Sequence, residues 1–233
     1  MVFDNREQAG DMLAEKLEGM RADPDAVVVA LPRGGVPVGF ALARSLELPL
    51  DIADVRKLGL PGREEVAMGA VSSTGLCVLK EEIIETFGIP PEVVEAVALR
   101  ELREMERRRL LYHGARPRLK LEGKNVIVAD DGLETGATML AALKSLRREH
   151  PAKLIVAVPV ACRDSEHDIA LEADDAVCLY LPDALGLASR WYRDYEEITD
   201  AQVISFLTEA RQLQMSLPLR AAQGESGGRP LSH

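Results

Sequence analysis

Four stretches of the chain are almost entirely apolar and rich in β-branched residues, and this feature limits the possible folds more than any other. These stretches are residues 26–31, 125–129, 154–158 and 176–181. A strand that is apolar on both sides must be buried on both faces, which is typical of parallel sheets covered by helices. Most of these strands are followed by a turn and then by a segment whose apolar residues recur with the period of an α-helix. The repeated strand–turn–helix order predicts an α/β fold with a mostly parallel sheet and flanking helices.

The remaining elements are predicted from periodicity and capping residues. Amphipathic helices are expected at 4–22, 37–46, 137–149 and from Thr199 to about residue 215, and short strands at 50–55 and within 67–79. Asp4 with Glu7, and Thr199 with Gln202, have the spacing of capping boxes. We therefore expect one domain over residues 1–217 with a helical insertion at about 80–118, followed by a disordered tail at 218–233.

Composition argues against two classes of partner. The 38 acidic residues outnumber the 28 basic ones for a net charge of −10, whereas contacts to nucleic-acid phosphates need cations. The longest apolar run, 154–162, has nine residues, about half of what a membrane-spanning helix requires. Residues 1–10 lack the apolar core of a signal peptide. We expect a cytoplasmic protein without nucleic-acid or membrane partners.

The three cysteines, Cys77, Cys162 and Cys178, are odd in number and widely spaced. This pattern fits neither a disulfide framework nor a metal-binding cluster. We interpret them as small core residues in a reducing compartment.

Residues 100–120 are unusually basic for this chain, with eight Arg and Lys against three Glu. A solvated helix whose charges pair at i,i+3 and i,i+4 would have this composition. A surface for an anionic ligand or partner would have it too. The sequence leaves both interpretations open.

The most informative segment is 126–138, in which an apolar strand ends in Asp130 and Asp131 and a loop of small residues leads into a helix. The backbone N–H groups of such a loop, at the positive end of a helix, can hold a phosphate, and Thr135 and Thr138 add hydroxyl donors. Adjacent carboxylates repel phosphate but accept hydrogen bonds from vicinal hydroxyls or bind hydrated Mg²⁺. A phosphorylated ribose is the smallest molecule that meets both demands.

This segment resembles the phosphoribosyl-pyrophosphate signature of the type I phosphoribosyltransferases. Residues from about 3 to 206 further resemble a bacterial phosphoribosyltransferase group that carries Leu-Pro-Arg-Gly-Gly-Val-Pro, here 31–37, and Arg-Lys-Leu-Gly, here 56–59. The resemblance implies a Rossmann-like core with a hood over the site. Glu134 departs from the pattern, since relatives usually carry Ala, Ser, Thr or Asp there. We expect its longer carboxylate to point away into solvent.

The resemblance also implies roles for individual residues. Asp130 and Asp131 would hold the ribose hydroxyls and, together with ligand oxygens, Mg²⁺. Pyrophosphate would be bound by the Arg33-Gly34-Gly35 turn, with a strained or cis peptide, and by Arg56 and Lys57. The 5′-phosphate would be held by a loop made of Gly132, Leu133, Glu134, Thr135, Gly136, Ala137 and Thr138.

The implied reaction transfers the 5-phosphoribosyl group of phosphoribosyl pyrophosphate to a nitrogenous base or similar acceptor. Pyrophosphate would leave through an oxocarbenium-like transition state, with Mg²⁺ and the basic residues stabilising its charge. Residues 58–70 would form a closing lid. Trp191 and Tyr192 are candidates for the acceptor surface, although an aromatic pair can equally cover the core or an oligomer contact. Segment 80–113 is the other hood candidate, and the family suggests a homodimer.

A second hypothesis is a regulatory or sensing module that binds phosphoribosyl pyrophosphate or a nucleotide without turnover. A sensor needs only the phosphate loop, whereas this sequence also keeps Arg33 and the Arg56-Lys57 pair, which favours the enzyme. Two other motif-like patterns give little information about function. The glycines of 34–39 lack the spacing of a dinucleotide fingerprint, and the G-x-S-x-G match at 224–228 lies in the expected tail with no strand before it.

Overall fold

The protein is described by a computed structural model that covers residues 2–114, 118–183 and 186–217. Its strands are β1 (Ala26–Ala30), β2 (Leu50–Ile52), β3 (Val55–Leu60), β4 (Arg63–Ser72), β5 (Cys77–Leu79), β6 (Asn125–Ala129), β7 (Lys153–Val160) and β8 (Asp175–Tyr180). Five of them form a parallel sheet in the order β2-β1-β6-β7-β8. The predicted α/β class is confirmed.

Helices cover both faces of this sheet. The helices are α1 (Arg6–Lys16), α2 (Gly35–Leu46), α3 (Glu81–Thr86), α4 (Pro91–His113), α5 (Ala137–Arg147), α6 (Arg163–Glu172) and α7 (Asp200–Ser216). Of these, α1, α2 and α7 lie on one face of the sheet and α5 and α6 on the other, whereas α3 and most of α4 pack against β3 and β4. Successive residues of β1 point to opposite faces, so Val28 packs in a cluster with residues of α1, α2 and α7, whereas Val29 packs in a cluster with residues of α5 and α6. Burial on both faces explains why the strand sequences are continuously apolar.

The remaining strands, β3, β4 and β5, form a separate antiparallel sheet. The strand predicted at 50–55 is therefore two strands in different sheets, and residues 58–70, predicted to form a lid loop, belong to β3 and β4. The chain leaves the main sheet after Ile52 and forms a hairpin, because Leu58, Leu60 and Met68 are buried in a cluster that includes residues of α4. The segment predicted as a lid is thus a hairpin packed against the helical insertion.

Of the two predicted capping boxes, the structure corrects the first and confirms the second. Helix α1 begins later than expected and its N-cap is Asn5, whose side chain accepts a hydrogen bond of 2.9 Å from the Gln8 amide. Helix α7 begins with the capping box of Thr199 and Gln202 that the sequence predicted.

Three further expectations concern surface and termini. Cys77 is exposed and Cys162 is only partly buried, so these two are not core residues as predicted, whereas Cys178 is partly buried and packs against the core. No helix within the described ranges is long and apolar enough to cross a membrane. The predicted tail at 218–233, together with the G-x-S-x-G match, lies outside the described residues.

Candidate active site

The candidate site lies where the carboxyl ends of β1 and β6 meet. These strands are neighbours, with Ala30 opposite Ala129, and the Leu31 amide donates a hydrogen bond of 2.9 Å to the Ala129 carbonyl. The turn after β1 and the loop after β6 are thereby adjacent, at the sheet edge where parallel α/β folds bind ligands. A cavity of about 300 Å³ opens there. Its lining consists of Leu31, Pro32, Lys57, Ala67, all residues of 130–139, Ala188 and Tyr195.

The loop 132–138 has the geometry of an anion-binding loop. Gly136 has a φ of 69°, in the left-handed region that glycine tolerates, and it directly precedes the first residue of α5. Leu133 anchors the loop by donating from its amide to the Val160 carbonyl and accepting from the Cys162 amide, both at 2.9 Å. The loop therefore presents the positive N-terminal end of α5 to the cavity.

The two acids after β6 are in different environments. The side chain of Asp131 is largely buried, and its Oδ2 accepts from Arg6 Nε at 2.8 Å and from the Tyr195 hydroxyl at 2.9 Å. Asp130 is half-buried, and its Oδ1 accepts from the Asp131 amide at 2.9 Å. Burial and the neighbouring Asp131 charge raise the pKa of Asp130 well above its ordinary range. Asp131 is thus internally paired, whereas Asp130 has capacity left for a ligand.

Arg6 is the residue that sequence reasoning missed. Its side chain is 7% exposed, its guanidinium lies 3.6 Å from the centre of the Tyr195 ring, and its Nη1 donates to the Glu196 carbonyl at 2.9 Å. Burial lowers the pKa of Arg6, but the Asp131 carboxylate outweighs this and raises it. No local motif marks Arg6, because the pair joins residues 125 positions apart.

The glycines after β1 are explained by these acids. A Cβ on Gly34 would overlap the Asp131 carboxylate, and one on Gly35 would lie 2.8 Å from the Ala129 carbonyl and from Asp130 Cα. The sequence predicted that the glycines let backbone approach an anion. In the structure they let the turn approach the two acids. The peptide bond between Pro32 and Arg33 is cis.

The basic residues predicted to face pyrophosphate are separated by the fold. Lys57 lines the cavity. Arg56, its neighbour in β3, donates to Glu101 on α4 at 2.6 Å and does not line it. The Arg33 side chain is paired with Glu197 and lies 3.9 Å from Asp200, at the start of α7. The structure therefore brings Lys57 to the site and leaves the side chains of Arg33 and Arg56 outside it.

The predicted acceptor pair is also placed elsewhere. Tyr192 is buried against Phe3, and its hydroxyl donates to the Asp131 carbonyl at 2.6 Å. Trp191 stacks on Tyr180 with ring centres 6.0 Å apart. Neither lines the cavity, whereas Tyr195, three residues further on, does.

Glu134 does not simply point into solvent, as the sequence predicted. Although exposed, its Oε1 accepts a hydrogen bond of 2.8 Å from the amide of Ala188, the first residue of a short 3₁₀ helix, Ala188–Trp191. Both residues line the cavity. The anion-binding loop is thereby joined to the segment after β8.

The basic part of α4 forms the local ion pairs that one interpretation predicted. Glu104 accepts from Arg107 at 2.7 Å and from Arg108 at 2.8 Å, and Glu106 pairs with Arg109. These hydrogen bonds lower the pKa of Glu104 to about 2, the one from Arg107 contributing most. Arg107 also reaches Asp200 at 2.9 Å, so the segment contacts α7 as well as solvent.

A metal ion would have few protein ligands at this site. Within the described ranges no group of three or more His, Cys, Asp or Glu side chains is arranged to hold a metal. Asp130 is nevertheless a suitable single ligand, since Mg²⁺ in phosphate sites is commonly held by one or two carboxylates and by substrate oxygens.

The chain is similar to several known proteins. The family described as "Phosphoribosyl transferase domain" matches residues 2–179. Two Mycobacterium tuberculosis proteins, each named "Putative phosphoribosyl transferase" (MT0597 of strain CDC 1551 and Rv0571c of strain H37Rv), are 36% identical over 211 residues, 91% of this chain and 47% of theirs. The chain thus spans about half the length of these relatives. The crystal structure of TT1426 from Thermus thermophilus is 36% identical with a TM-score of 0.72, and the match covers 90% of this chain and 99% of that one.

Proposed function

Because the chain belongs to the phosphoribosyltransferase family, we propose that it transfers the 5-phosphoribosyl group of phosphoribosyl pyrophosphate to a nitrogenous acceptor, with Mg²⁺ and with release of pyrophosphate. One observation carries this proposal. Asp130 and the loop 132–138 lie in one cavity of about 300 Å³. A phosphorylated ribose could place its phosphate on the loop and its hydroxyls on the Asp130 carboxylate at the same time.

The 5′-phosphate would sit on the loop at the N-terminus of α5, where backbone N–H groups and the helix dipole favour a dianion. Thr135 and Thr138 would add hydroxyl donors. The ribose hydroxyls would donate to Asp130, which makes no ion pair within the described part of the chain. Asp131 would keep the site in place and would not be the main ligand-binding acid, because its Oδ2 already accepts hydrogen bonds from Arg6 and Tyr195.

Charge at the site supports the dependence on Mg²⁺. The cavity lining contains one cation, Lys57, against Asp130, Asp131 and Glu134. A polyanionic donor would be repelled from such a surface without a further cation. When bound, Mg²⁺ would neutralise charge on the departing pyrophosphate. Asp130 would hold it on the protein side, with ligand oxygens as the other ligands.

The leaving-group side would be formed by Lys57 and the turn after β1. Lys57 lies on the hairpin of β3 and β4, which also contributes Ala67 to the lining. Small movements of this hairpin would change access to the cavity, so it takes the lid role that the sequence assigned to a loop. Water excluded by the closed hairpin could not compete with the acceptor.

A sensor that binds phosphoribosyl pyrophosphate without turnover is the alternative. Lys57 favours the enzyme over a sensor of a nucleotide monophosphate, because such a ligand has no pyrophosphate for this cation to face. We also propose a homodimer, as the sequence resemblance implies, and sedimentation of the purified chain would test it.

The test is a screen of purines, pyrimidines and other nitrogen heterocycles with phosphoribosyl pyrophosphate and Mg²⁺, in which pyrophosphate release is measured. We expect release with at least one acceptor and none from Asp130→Asn. Binding of phosphoribosyl pyrophosphate by calorimetry without release from any acceptor would support the sensor. Absence of binding would overturn both hypotheses.

A further inference from the structure

A second cavity, of about 430 Å³, lies away from the candidate active site. It opens beside the start of β2, whereas the candidate active site lies at the carboxyl ends of the parallel strands. Its walls come from β2, the end of α4, the segment before β6 and the C-terminal part of α7. Most of the lining is apolar and includes Leu50, Leu119 and Met215. The described linings of the two cavities have no residue in common.

Asp51 fixes one wall of this second cavity. It is 4% exposed, its Oδ1 accepts from the Ile52 amide and its Oδ2 accepts from the Leu119 amide, both at 2.9 Å. The bond to Leu119 joins β2 to a segment 68 residues later in the chain. A buried polar contact therefore holds Leu119 at the cavity, in addition to apolar packing.

His113, the last residue of α4, has a buried polar atom without a partner. Its side chain is 3% exposed, and its Nε2 makes no hydrogen bond within the described part of the chain. Burial lowers the pKa of His113, although the charges of Asp51 and Asp54 act in the opposite direction, so the ring is neutral at pH 7. We place the ring proton on Nδ1, which lies 3.6 Å from Asp51 Oδ1. Nε2 is then a hydrogen-bond acceptor.

The charges on the lining balance each other. Asp51 contributes a negative charge and Arg211 a positive one, while the neutral ring of His113 contributes none. An anionic ligand would meet the buried Asp51 carboxylate, and a cationic ligand would meet Arg211. Mainly apolar walls also make the desolvation of an ionised ligand costly. The cavity therefore favours an uncharged ligand.

We propose that this cavity is a binding site for a small, uncharged, mainly apolar ring that donates one hydrogen bond, from a hydroxyl or N–H group, to His113 Nε2. The ring would cover apolar surface of Leu50, Leu119 and Met215. Its donor would satisfy the acceptor that the described part of the fold leaves unpaired. Because Nε2 is buried, the imidazole would turn slightly towards the cavity on binding. The site is independent of the proposed transferase activity.

Two pairs of probes with similar shapes test this proposal on the full chain. Phenol and indole carry the donor, whereas fluorobenzene and benzofuran lack it. Calorimetry should show that the wild-type chain binds phenol and indole with dissociation constants of about 1 mM or below. In long-range ¹H–¹⁵N spectra, phenol and indole should shift the resonance of His113 Nε2. Fluorobenzene and benzofuran should shift it far less, because they cannot donate to it.

His113→Leu removes the acceptor and keeps a side chain of similar size. The preference for each donor probe over its partner should be about five-fold larger in the wild type than in this variant, the effect of one hydrogen bond. Comparison of the two proteins cancels the different hydration of the probes. His167→Leu is the control, because His167 is an exposed residue of α6 that does not line the cavity. It should keep the wild-type preference.

Four results would overturn the proposal. They are no binding of phenol or indole to the wild-type chain, tighter binding of benzoate than of phenol, an unchanged Nε2 resonance on binding, and an unchanged preference in His113→Leu. If His113→Leu does not fold, the wild-type resonance decides the question alone. Binding of phosphoribosyl pyrophosphate is a separate measurement, and its failure would overturn only the proposed function.

Discussion

Arg6 Nε lies 2.8 Å from Asp131 Oδ2, and the two side chains are 7% and 11% exposed. The pair connects α1, the first helix, to the acid at the end of β6. Tyr195 completes it, with its hydroxyl on the same carboxylate oxygen and its ring against the guanidinium. Three distant parts of the chain thus meet at one carboxylate, which makes Asp131 a structural centre of the site.

Arg6→Ala should destabilise the fold strongly, because it leaves the Asp131 carboxylate buried without its partner. We expect a loss of about 3–5 kcal/mol in the free energy of unfolding, measured with urea. Arg193→Ala is the control, since Arg193 pairs with Asp4, two residues before Arg6, at side-chain exposures of 73% and 53%. It should cost no more than about 1 kcal/mol. Equal losses in the two variants would contradict this account.

Asp130→Asn and Asp131→Asn should have opposite effects on stability. The raised pKa of Asp130 means that the folded state disfavours its charged form. Wild-type stability should therefore fall as pH rises above about 4, relative to Asp130→Asn. The same variant should bind phosphoribosyl pyrophosphate with Mg²⁺ about ten-fold more weakly or worse. Asp131→Asn should lose stability, because Arg6 is left without its counter-charge. A stability profile of Asp130→Asn parallel to wild type would argue against the pKa shift.

Lys57→Ala should weaken phosphoribosyl pyrophosphate far more than ribose 5-phosphate, because only the former has a pyrophosphate to face Lys57. A difference of about ten-fold is expected for a lost charge-assisted contact. Arg56→Ala should leave both affinities nearly unchanged and instead lower stability, since Arg56 pairs with Glu101 on α4. Calorimetry with the two ligands measures both effects. Equal weakening of the two ligands by Lys57→Ala would remove it from the leaving-group side.

Gly35→Ala should damage the site, since its Cβ would meet backbone atoms of Ala129 and Asp130 at 2.8 Å and these cannot move aside. We expect a loss of about 1–3 kcal/mol in thermal or urea unfolding, typical of overpacking. Gly19→Ala is the control, because a Cβ there meets nothing within 4 Å. A Gly35→Ala variant as stable as Gly19→Ala would show that the turn is not packed against the acids.

The ion pairs of Glu104 within α4 should make stability depend on acid pH. The pKa of Glu104 is lowered from about 4.5 to about 2 by Arg107 and Arg108. An acid with a depressed pKa stabilises the fold above its unfolded value, and this contribution is lost as pH falls from about 4.5 towards 2. Glu104→Gln should therefore show a shallower loss of stability over this range. Glu106→Gln, in a more exposed pair on the same helix that also lowers the pKa of its carboxyl, should change the profile less, because solvent screens that pair. A wild-type slope retained in Glu104→Gln would contradict the assignment.

Local patterns predicted the elements that depend on neighbouring residues. The Thr199–Gln202 box marks the start of α7, and the small residues of 132–138 mark the anion-binding loop, because capping and turn chemistry act over a few positions. Lys57 and Arg56 show a missed local signal. Successive residues of a strand point to opposite sides, so this pair could not both face the cavity once β3 was recognised as a strand.

The sequence by itself determined the α/β class, the Gly- and Thr-containing loop and the acids at the end of β6, since each follows from hydrophobic period or short-range hydrogen bonding. Only the tertiary structure decided which acid is available to a ligand, which basic residue reaches the cavity and what Glu134 contacts. Those outcomes depend on Arg6, Glu101 and Ala188, which are 125, 45 and 54 residues distant from their partners. Contacts between residues so far apart in sequence depend on how whole helices and strands pack, and a short motif does not determine that packing.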